Sequence, residues 1–386
     1  MGLFKLNQLS PKCKLFKVFG IMTTMQNQIQ IANISEELTR LWDEEQGQKK
    51  IRASLFNLIF YVQKSAKVAF YQKLIKSVVS KFPCRVLCII NDTQSKEEYL
   101  RTSVSSETLG KEELQIYCEI IQIEVAGKFV ERVPFIVLPQ IIPDLPVYLL
   151  WTQDPSLEST VLPHLEPLAN RIIFDSESTR DLQNYSRSVL SLMHRFHCTI
   201  GDLNWSALSG WRQIFVQVFN TQETFLSLAQ STLIRIQYNR TEMNFQKHAL
   251  IEAAYLQAWL ASRMNWKFQS IEVDEGNVRL TYKSPMKDLV ILLTPQEVET
   301  QPTGAILSIE IESAKNKGVY TFKRHPQSRQ IFIQYHDKDY CQIPYSTVLK
   351  GAPEGQEILE EIFYPSGGKH YRDMLEILAT TPWRHE

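Results

Sequence analysis

The chain has 386 residues, of which 44% are hydrophobic and 22% are charged, proportions typical of a globular protein large enough for two domains. Its 42 lysines and arginines balance 42 aspartates and glutamates, so no net charge attracts nucleic acid or an anionic membrane, and we expect neither as a partner. Six cysteines without a Cys-x-x-Cys spacing predict a reduced, cytoplasmic protein whose cysteines are mostly buried.

The longest apolar stretch, residues 133–151, is close to the length of a membrane-spanning helix. It contains one charge, Asp144, and four prolines, which are Pro134, Pro139, Pro143 and Pro146. Prolines at this density break a helix repeatedly, and lipid cannot satisfy the freed carbonyl groups. The stretch therefore predicts an apolar segment, a Pro-Asp-Leu-Pro turn and a buried strand. Residues 1–32 are predicted to be a disordered leader.

The first half of the chain alternates short apolar runs with amphipathic segments. Helices are predicted at 35–45, 66–82 and 179–193, and strands at 55–62, 85–90, 115–125, 147–151 and 171–174. Apolar runs of strand length without polar alternation are typical of strands buried on both faces of a parallel sheet. We therefore predict a Rossmann-like α/β domain with a mostly parallel sheet over residues 33–200.

The second half has a different pattern, in which strands follow one another without helices between them. A helical bridge at 201–231 is predicted to contain helices at 208–218 and 223–229. Beyond it, strands are predicted at 233–238, 268–273, 278–282, 289–293, 305–311, 319–324 and 331–335, and helices at 245–264, 357–363 and 371–379. A run of strands flanked by helices predicts an α+β domain with an antiparallel sheet over residues 232–386.

Glycine spacing bears on nucleotide binding. No two of the 14 glycines are separated by a single residue, so the Gly-x-Gly-x-x-Gly fingerprint of dinucleotide-binding domains is absent from the whole sequence. Ser366-Gly367-Gly368-Lys369 ends like a phosphate loop but lacks the earlier glycine, and we interpret it as a turn leading into a helix. We expect no cofactor.

Catalytic and metal-binding patterns are also absent from the sequence. His194 and His197 are spaced to share one face of a helix, but no Glu or second Cys nearby completes a tetrahedral metal site, so we interpret them as part of a solvated helix end. Gly-x-Ser-x-Gly does not occur. The sequence therefore predicts no catalytic residue and no metal site, and a protein that is not an enzyme.

Large aromatic and charged residues are the remaining candidates for function. Trp205, Trp211 and Arg212 are of the residue types enriched at binding hot spots. The helical spacing of Trp211 with Ile214 and Phe215 favours instead its packing in the domain junction, and both interpretations remain open. An exposed Trp205 at the centre of an interface would contribute more than about 1 kcal/mol to binding.

A second group of candidate contact residues lies at the Pro-Asp-Leu-Pro turn. Asp144 can fix this turn, Pro146 sets the start of the following strand, and Trp151 ends that strand. Asp202 is predicted to accept backbone N–H bonds at the turn that follows it, which is a structural role.

Four segments resemble, in order and spacing, the glucose-6-phosphate dehydrogenase assembly protein (OpcA) family. They are Arg52–Leu58, Pro143–Trp151, Asp175-Ser176 and Asp202–Arg212, and the similarity extends from about Asn33 to the end of the chain. One departure lies between the tryptophans, where the family usually has Arg and Thr-Pro and this chain has Ala207 and Ser209-Gly210.

The resemblance implies a protein that binds glucose-6-phosphate dehydrogenase, favours its active oligomer and so supports NADPH supply. It places the candidate partner contacts at Trp205, Trp211, Arg212, Asp144, Pro146 and Trp151. The alternative is a sensor of sugar phosphates or nucleotides that binds its ligand at the carboxyl ends of the first-domain strands, near Asp92 or Asp175. A scaffold for another partner is a third possibility.

Overall fold

The structure is a computed structural model. It describes residues 33–45, 50–65, 67–111, 114–179, 181–195, 198–240, 249–274, 276–284, 288–350, 357–363 and 368–383. The leader predicted at residues 1–32 lies outside the described residues.

The first of two sheets has the strand order of a Rossmann fold. Its strands are β1 Lys50–Arg52, β2 Asn57–Gln63, β3 Arg85–Asn91, β4 Tyr99–Lys111, β5 Leu114–Ala126, β6 Val147–Trp151, β7 Arg171–Phe174 and β8 Thr199–Asp202. They pair in the order β1-β5-β3-β2-β6-β7-β8, all parallel, and β4 adds antiparallel to β5. The strand order reverses between β2 and β6, so this is the topological switch point. The predicted Rossmann-like, mostly parallel sheet is confirmed.

The continuous apolar run of β2 is explained by helices and loops packed on both faces of this sheet. The helices are α1 Ile34–Glu45, α2 Val68–Val79, α3 Val133–Val137, α4 Leu162–Leu165 and α5 Leu182–Arg195. Leu58 and Phe60 belong to the buried cluster on the α2 face, whereas Ile59 and Tyr61 belong to the cluster on the opposite face. Neither face of β2 meets water.

Three helices follow β8, one more than predicted. They are α6 Leu203–Ala207, α7 Ser209–Val218 and α8 Gln222–Ala229. The additional helix, α6, is a single turn that begins where Asp202 accepts the backbone N–H of Trp205, which confirms the predicted role of Asp202.

The second sheet is antiparallel except for one strand pair. Its strands are β9 Ser231–Asn239, β10 Lys267–Asp274, β11 Asn277–Lys283, β12 Leu289–Gln296, β13 Ile306–Ser313, β14 Val319–Arg324, β15 Gln330–His336 and β16 Tyr345–Val348. They pair in the order β10-β11-β12-β9-β13-β14-β15-β16, and only β12 and β9 are parallel. The buried helix α9 Ile251–Met264 packs on this sheet, and the part of its predicted range at 245–248 lies outside the described residues.

The last two helices return to the first sheet. Helix α10 Glu357–Phe363 packs against α2 and α6, and α11 Lys369–Thr380 lies between α5 and α9. Ile358, Leu359 and Ile362 of α10 join the buried cluster on the α2 face of the first sheet. The C-terminal segment thus packs on both halves of the molecule, and the predicted division at residue 232 stays a prediction.

The described cysteines are free thiols. Cys84, Cys88 and Cys118 are buried, Cys198 is half-buried and Cys341 is exposed. Burial raises the pKa of the Cys88 thiol to about 12, which keeps it protonated. Within the described ranges, no helix is long and apolar enough to cross a membrane.

Candidate functional site

The carboxyl edge of the first sheet is where a protein with this strand order would bind a nucleotide. The sequence between β2 and α2 contains no glycine, and Lys67 lies at the start of α2. The ammonium of Lys67 lies 2.8 Å from Glu177 Oε2 and 3.7 Å from Asp175 Oδ2. Burial opposes the charge of Lys67, but the two carboxylates outweigh it and raise its pKa. The cation nearest the expected phosphate position is therefore neutralised by the protein itself.

Asp175, which follows β7, is held by several donors. Tyr71 donates to its Oδ2 at 2.5 Å, the backbone N–H of Glu177 donates to its Oδ1 at 3.0 Å, and the Asn204 amide donates to Oδ1 at 3.4 Å. Burial, reinforced by the neighbouring Asp175 charge, raises the pKa of Tyr71 well above its ordinary value. These bonds fix α2 and α6 to the end of β7.

Asp202, which ends β8, lies in a fully buried group of hydroxyls. Tyr185 donates to its Oδ2 at 2.7 Å and Tyr255 at 3.5 Å, while Ser176 donates to Oδ1 at 3.1 Å. Burial raises the pKa of Asp202 to about 7 in spite of these donors. The group connects β8 with α5 and α9 and thereby joins the two halves of the molecule.

The turn after β2 lacks the features that bind the pyrophosphate of a dinucleotide. The pyrophosphate needs a close approach to the backbone at the first strand-to-helix turn, and that turn has no glycine and faces two carboxylates. At the switch point itself, Thr152 donates both its N–H and its hydroxyl to the carbonyl of Tyr61, which joins the ends of β2 and β6.

The pair of histidines considered as potential metal ligands is only partly described. Among the described residues, no three His, Cys, Asp or Glu side chains are grouped to hold a metal ion. His194 is exposed at the end of α5, and its predicted neighbour His197 lies outside the described residues. In the segment that ends like a phosphate loop, Ser366 and Gly367 also lie outside the described residues. Gly368 precedes α11, as expected for a turn leading into a helix.

Three of the predicted contact residues are interior tryptophans. Trp151, Trp205 and Trp211 are each 1% exposed. Trp205 packs against Tyr371 of α11, with ring centroids 5.6 Å apart, and Trp151 stacks on Tyr61 at 4.0 Å. The packing role that helical spacing favoured for Trp211 is confirmed, whereas contact of any of the three with a partner stays a prediction.

Arg212 is half-buried over Trp205. Its guanidinium carbon lies 3.7 Å from the Trp205 ring centroid, and its Nη1 donates to the Trp205 carbonyl. Burial lowers the pKa of Arg212 to about 10, while the charges of Glu361 and Glu360 act in the opposite direction. Arg212 therefore stabilises the bridge, and part of its side chain stays exposed, while its contact with a partner stays a prediction.

Asp144 and Pro146 lie at the opposite, amino edge of the first sheet. Asp144 is exposed and has a positive φ of 63°, a conformation that Asp tolerates better than most residues. The buried amide of Asn57 holds the loop through the carbonyl and N–H of Ile142 and the carbonyl of Leu145. The structure therefore separates the predicted contact residues into an interior group and a surface group.

A buried ion pair beneath α10 was missed by sequence reasoning. Glu361 accepts hydrogen bonds from Arg171 and from the hydroxyl of Ser206, and both charged side chains are almost completely inaccessible. Gly201 allows this approach, since a Cβ there would lie 1.9 Å from Glu361 Oε2. Glu361 is the second of two adjacent glutamates in α10, and no local pattern distinguishes the buried one from its neighbour.

The fold and this edge define a class of protein with a Rossmann-like sheet in which the lysine at the first strand-to-helix turn is paired with two carboxylates. The family models described as the N-terminal and C-terminal domains of a glucose-6-phosphate dehydrogenase subunit match residues 76–191 and 198–372. The chain therefore belongs to the OpcA family.

Curated relatives share part of their length with this chain. It is 25% identical over 203 residues to a Synechocystis sp. protein named as an OxPP cycle protein OpcA, covering 52% of this chain and 41% of that one. A protein of the same name from Synechococcus elongatus is 23% identical over 206 residues, covering 53% and 44%. The chain matches less than half the length of these relatives.

Solved structures resemble the chain weakly. KijD10, a 3-ketoreductase from Actinomadura kijaniata, has a TM-score of 0.49 at 8% identity, covering 84% of this chain and 94% of that one. A super-repressor mutant of Gal80p from Saccharomyces cerevisiae has a TM-score of 0.48 at 9% identity, with the same coverage. Similarity at this level carries no inference about activity or ligand.

Proposed function

We propose that this protein is a non-catalytic, cytoplasmic assembly factor that binds glucose-6-phosphate dehydrogenase and favours its active oligomer. The observation that carries the proposal is the match of two family models, described as domains of a glucose-6-phosphate dehydrogenase subunit, along both halves of the chain. The turn after β2 supports a role without hydride transfer, because it has no glycine and its Lys67 is already paired with Asp175 and Glu177.

The proposed mechanism is a shift of population. A protein that binds the active oligomer more tightly than the inactive form moves the equilibrium by the difference between the two affinities and by no more. No group of the assembly factor then needs to reach the substrate of the dehydrogenase.

We propose the amino-edge surface as the contact region, defined here as Phe135, Leu138, Asp144 and Pro146. Phe135 is 70% exposed and Leu138 is 40% exposed, on the helical segment that leads into the loop held by Asn57. Exposed apolar side chains next to a rigid loop lose little entropy on binding. The interior tryptophans would then support the surface rather than form it.

A bridge surface is the competing contact region, defined here as Arg212, Val216, Phe225 and Leu226. Val216 and Phe225 are 64% and 46% exposed on α7 and α8. Because the two surfaces expose similar apolar side chains, each provides a matched control for the other.

The test is the rate of NADPH formation by the dehydrogenase of the same organism, at subsaturating substrate, as the purified protein is titrated in. We expect a saturable rise accompanied by a larger complex on size-exclusion chromatography. Replacing Phe135 and Leu138 with Ala should weaken binding by about 2 kcal/mol or more if they form a hot spot, and replacing Val216 and Phe225 should not. No change in rate and no co-elution with the wild-type protein would refute the proposal, and the reverse result for the two variants would move the contact to the bridge surface.

A further inference from the structure

A crevice of about 600 Å³ opens at the carboxyl edge of the first sheet, beside the switch point. It lies where β2, β3 and β6 end, and its lining includes Tyr61, Asn91, Gln153, Glu158, Ser159 and Thr160. Its size is within the range of small-molecule sites, and this edge is where ligands bind in open α/β sheets.

The floor of the crevice is a rigid pair of polar side chains. Asn91 is only 7% exposed, and its amide donates to the Tyr61 hydroxyl at 2.8 Å. The Tyr61 ring stacks on Trp151 with an interplanar angle of 11°. Burial raises the pKa of Tyr61 to about 12, so its hydroxyl keeps its proton at neutral pH. The pair is therefore positioned before any ligand arrives.

This pair has unused hydrogen-bonding capacity. The hydroxyl oxygen of Tyr61 accepts from the Asn91 amide, so the hydroxyl hydrogen of Tyr61 is free to donate. The side-chain carbonyl oxygen of Asn91 remains an acceptor. Neither makes another hydrogen bond within the described part of the chain. One donor beside one acceptor matches a hydroxyl group, which both donates and accepts.

The charge of the lining selects against anions. Glu158 is its only charged side chain among the described residues, and no Lys, Arg or His lines it. The ammonium of Lys64, which follows β2, lies 2.8 Å from Asp92 and is already paired. A phosphate would therefore meet a carboxylate without a compensating cation, whereas a neutral hydroxylated molecule would meet hydrogen-bonding groups and the apolar side chain of Val130.

We propose that this crevice binds an uncharged, polyhydroxylated molecule of sugar size, recognised by the Tyr61–Asn91 pair at its floor. This proposal does not rest on the proposed contact with the dehydrogenase, because the crevice is at the carboxyl edge of the sheet, whereas Asp144 and Pro146 lie at the amino edge.

Ligand-observed saturation-transfer NMR on the full chain tests the proposal, with D-glucose, D-fructose, D-ribose and myo-inositol as neutral probes and glucose 6-phosphate as the charged one. We expect at least one neutral probe to bind, and Tyr61→Phe to weaken it about two- to tenfold, the range for losing one neutral hydrogen bond. Tyr282→Phe is the matched control, because it removes a buried hydroxyl that donates to Gln257 at 2.8 Å in the other half of the molecule.

A second variant keeps the test decisive if Tyr61→Phe folds poorly. Glu158 is exposed at the rim, and Glu158→Lys should retain the neutral probe while strengthening glucose 6-phosphate. The proposal is overturned if no neutral probe binds, if Tyr61→Phe and Tyr282→Phe bind equally well, or if the wild-type protein prefers the phosphorylated sugar. None of these outcomes bears on the activation assay with the dehydrogenase, which can still show the expected rise in rate.

Discussion

The two edges of the first sheet carry similar residue types and use them differently. At the amino edge, Asp144 and Pro146 form a surface loop that depends on one buried amide, that of Asn57. At the carboxyl edge, Trp205 and Asp202 are interior and their polar groups are bonded to several elements. The segment that contains Asp144 therefore lies at the surface, whereas the segment that contains Asp202 and Trp205 lies in the interior, and burial distinguishes them.

Replacing Trp205, in the interior segment, should lower stability far more than replacing Asp144, on the surface loop. Trp205→Ala leaves a large cavity against Tyr371 and removes the ring beneath Arg212, so we expect a loss of about 3 to 5 kcal/mol in the free energy of unfolding. Asp144→Asn, on the exposed loop, should change it by less than about 0.5 kcal/mol. Urea unfolding measures both, and an unchanged midpoint for Trp205→Ala would contradict its interior role.

The ion pair beneath α10 is a second test of the interior. Glu361→Ala leaves the Arg171 guanidinium buried without its partner, which should cost about 3 to 5 kcal/mol. Glu360→Ala, one residue away and bonded to Ser209 at 3.1 Å, should cost less than about 1 kcal/mol. The double variant Arg171→Met/Glu361→Leu removes both charges, and we expect it to recover most of the loss. Equal destabilisation by the two single variants would refute the buried-pair interpretation.

The strands of the first sheet were predictable where the sequence is uniformly apolar. Residues 85–90 and 147–151 were predicted within a residue of β3 and β6, because burial on both faces leaves no polar alternation. Strand β4 was missed, since its sequence is rich in Ser and Thr and has few apolar residues. Its strand character comes from antiparallel pairing along the whole of β5, which no local pattern reveals.

The site was less predictable than the fold because its partners are distant in sequence. Arg171 and Glu361 are 190 residues apart, and Lys67 and Glu177 are 110 residues apart. At such separations no local sequence pattern indicates that two residues are in contact. The capping role of Asp202 was predictable since its partner, the N–H of Trp205, is three residues away. Side-chain burial at the bridge depended on α11, which packs there from the end of the chain.

Asp202, at the carboxyl edge, should also make the free energy of unfolding depend on pH. The pKa of Asp202 is raised from 3.8 to about 7, so between these values the unfolded chain releases a proton that the folded protein keeps. The contribution of Asp202 to stability therefore falls as pH rises through this window, by about 1.4 kcal/mol per pH unit, and is constant above it. Asp202→Asn should remove this slope, and parallel curves for the two proteins in urea unfolding from pH 5 to pH 8 would contradict the assignment.

The smallest expected effect concerns Asp144. It tests whether the backbone conformation at this residue or the charge of its carboxylate matters for binding. A residue other than Gly, Asn or Asp at its φ of 63° costs roughly 1 to 2 kcal/mol, so Asp144→Ala should lower stability by about 1 kcal/mol while Asp144→Gly should not. Asp144→Asn keeps the conformation and removes only the charge. If dehydrogenase binding falls with Asp144→Ala but not with Asp144→Asn, the loop shape is what the partner meets. If it falls with both variants, the carboxylate itself makes the contact, and urea unfolding of the same proteins separates these outcomes from a loss of fold.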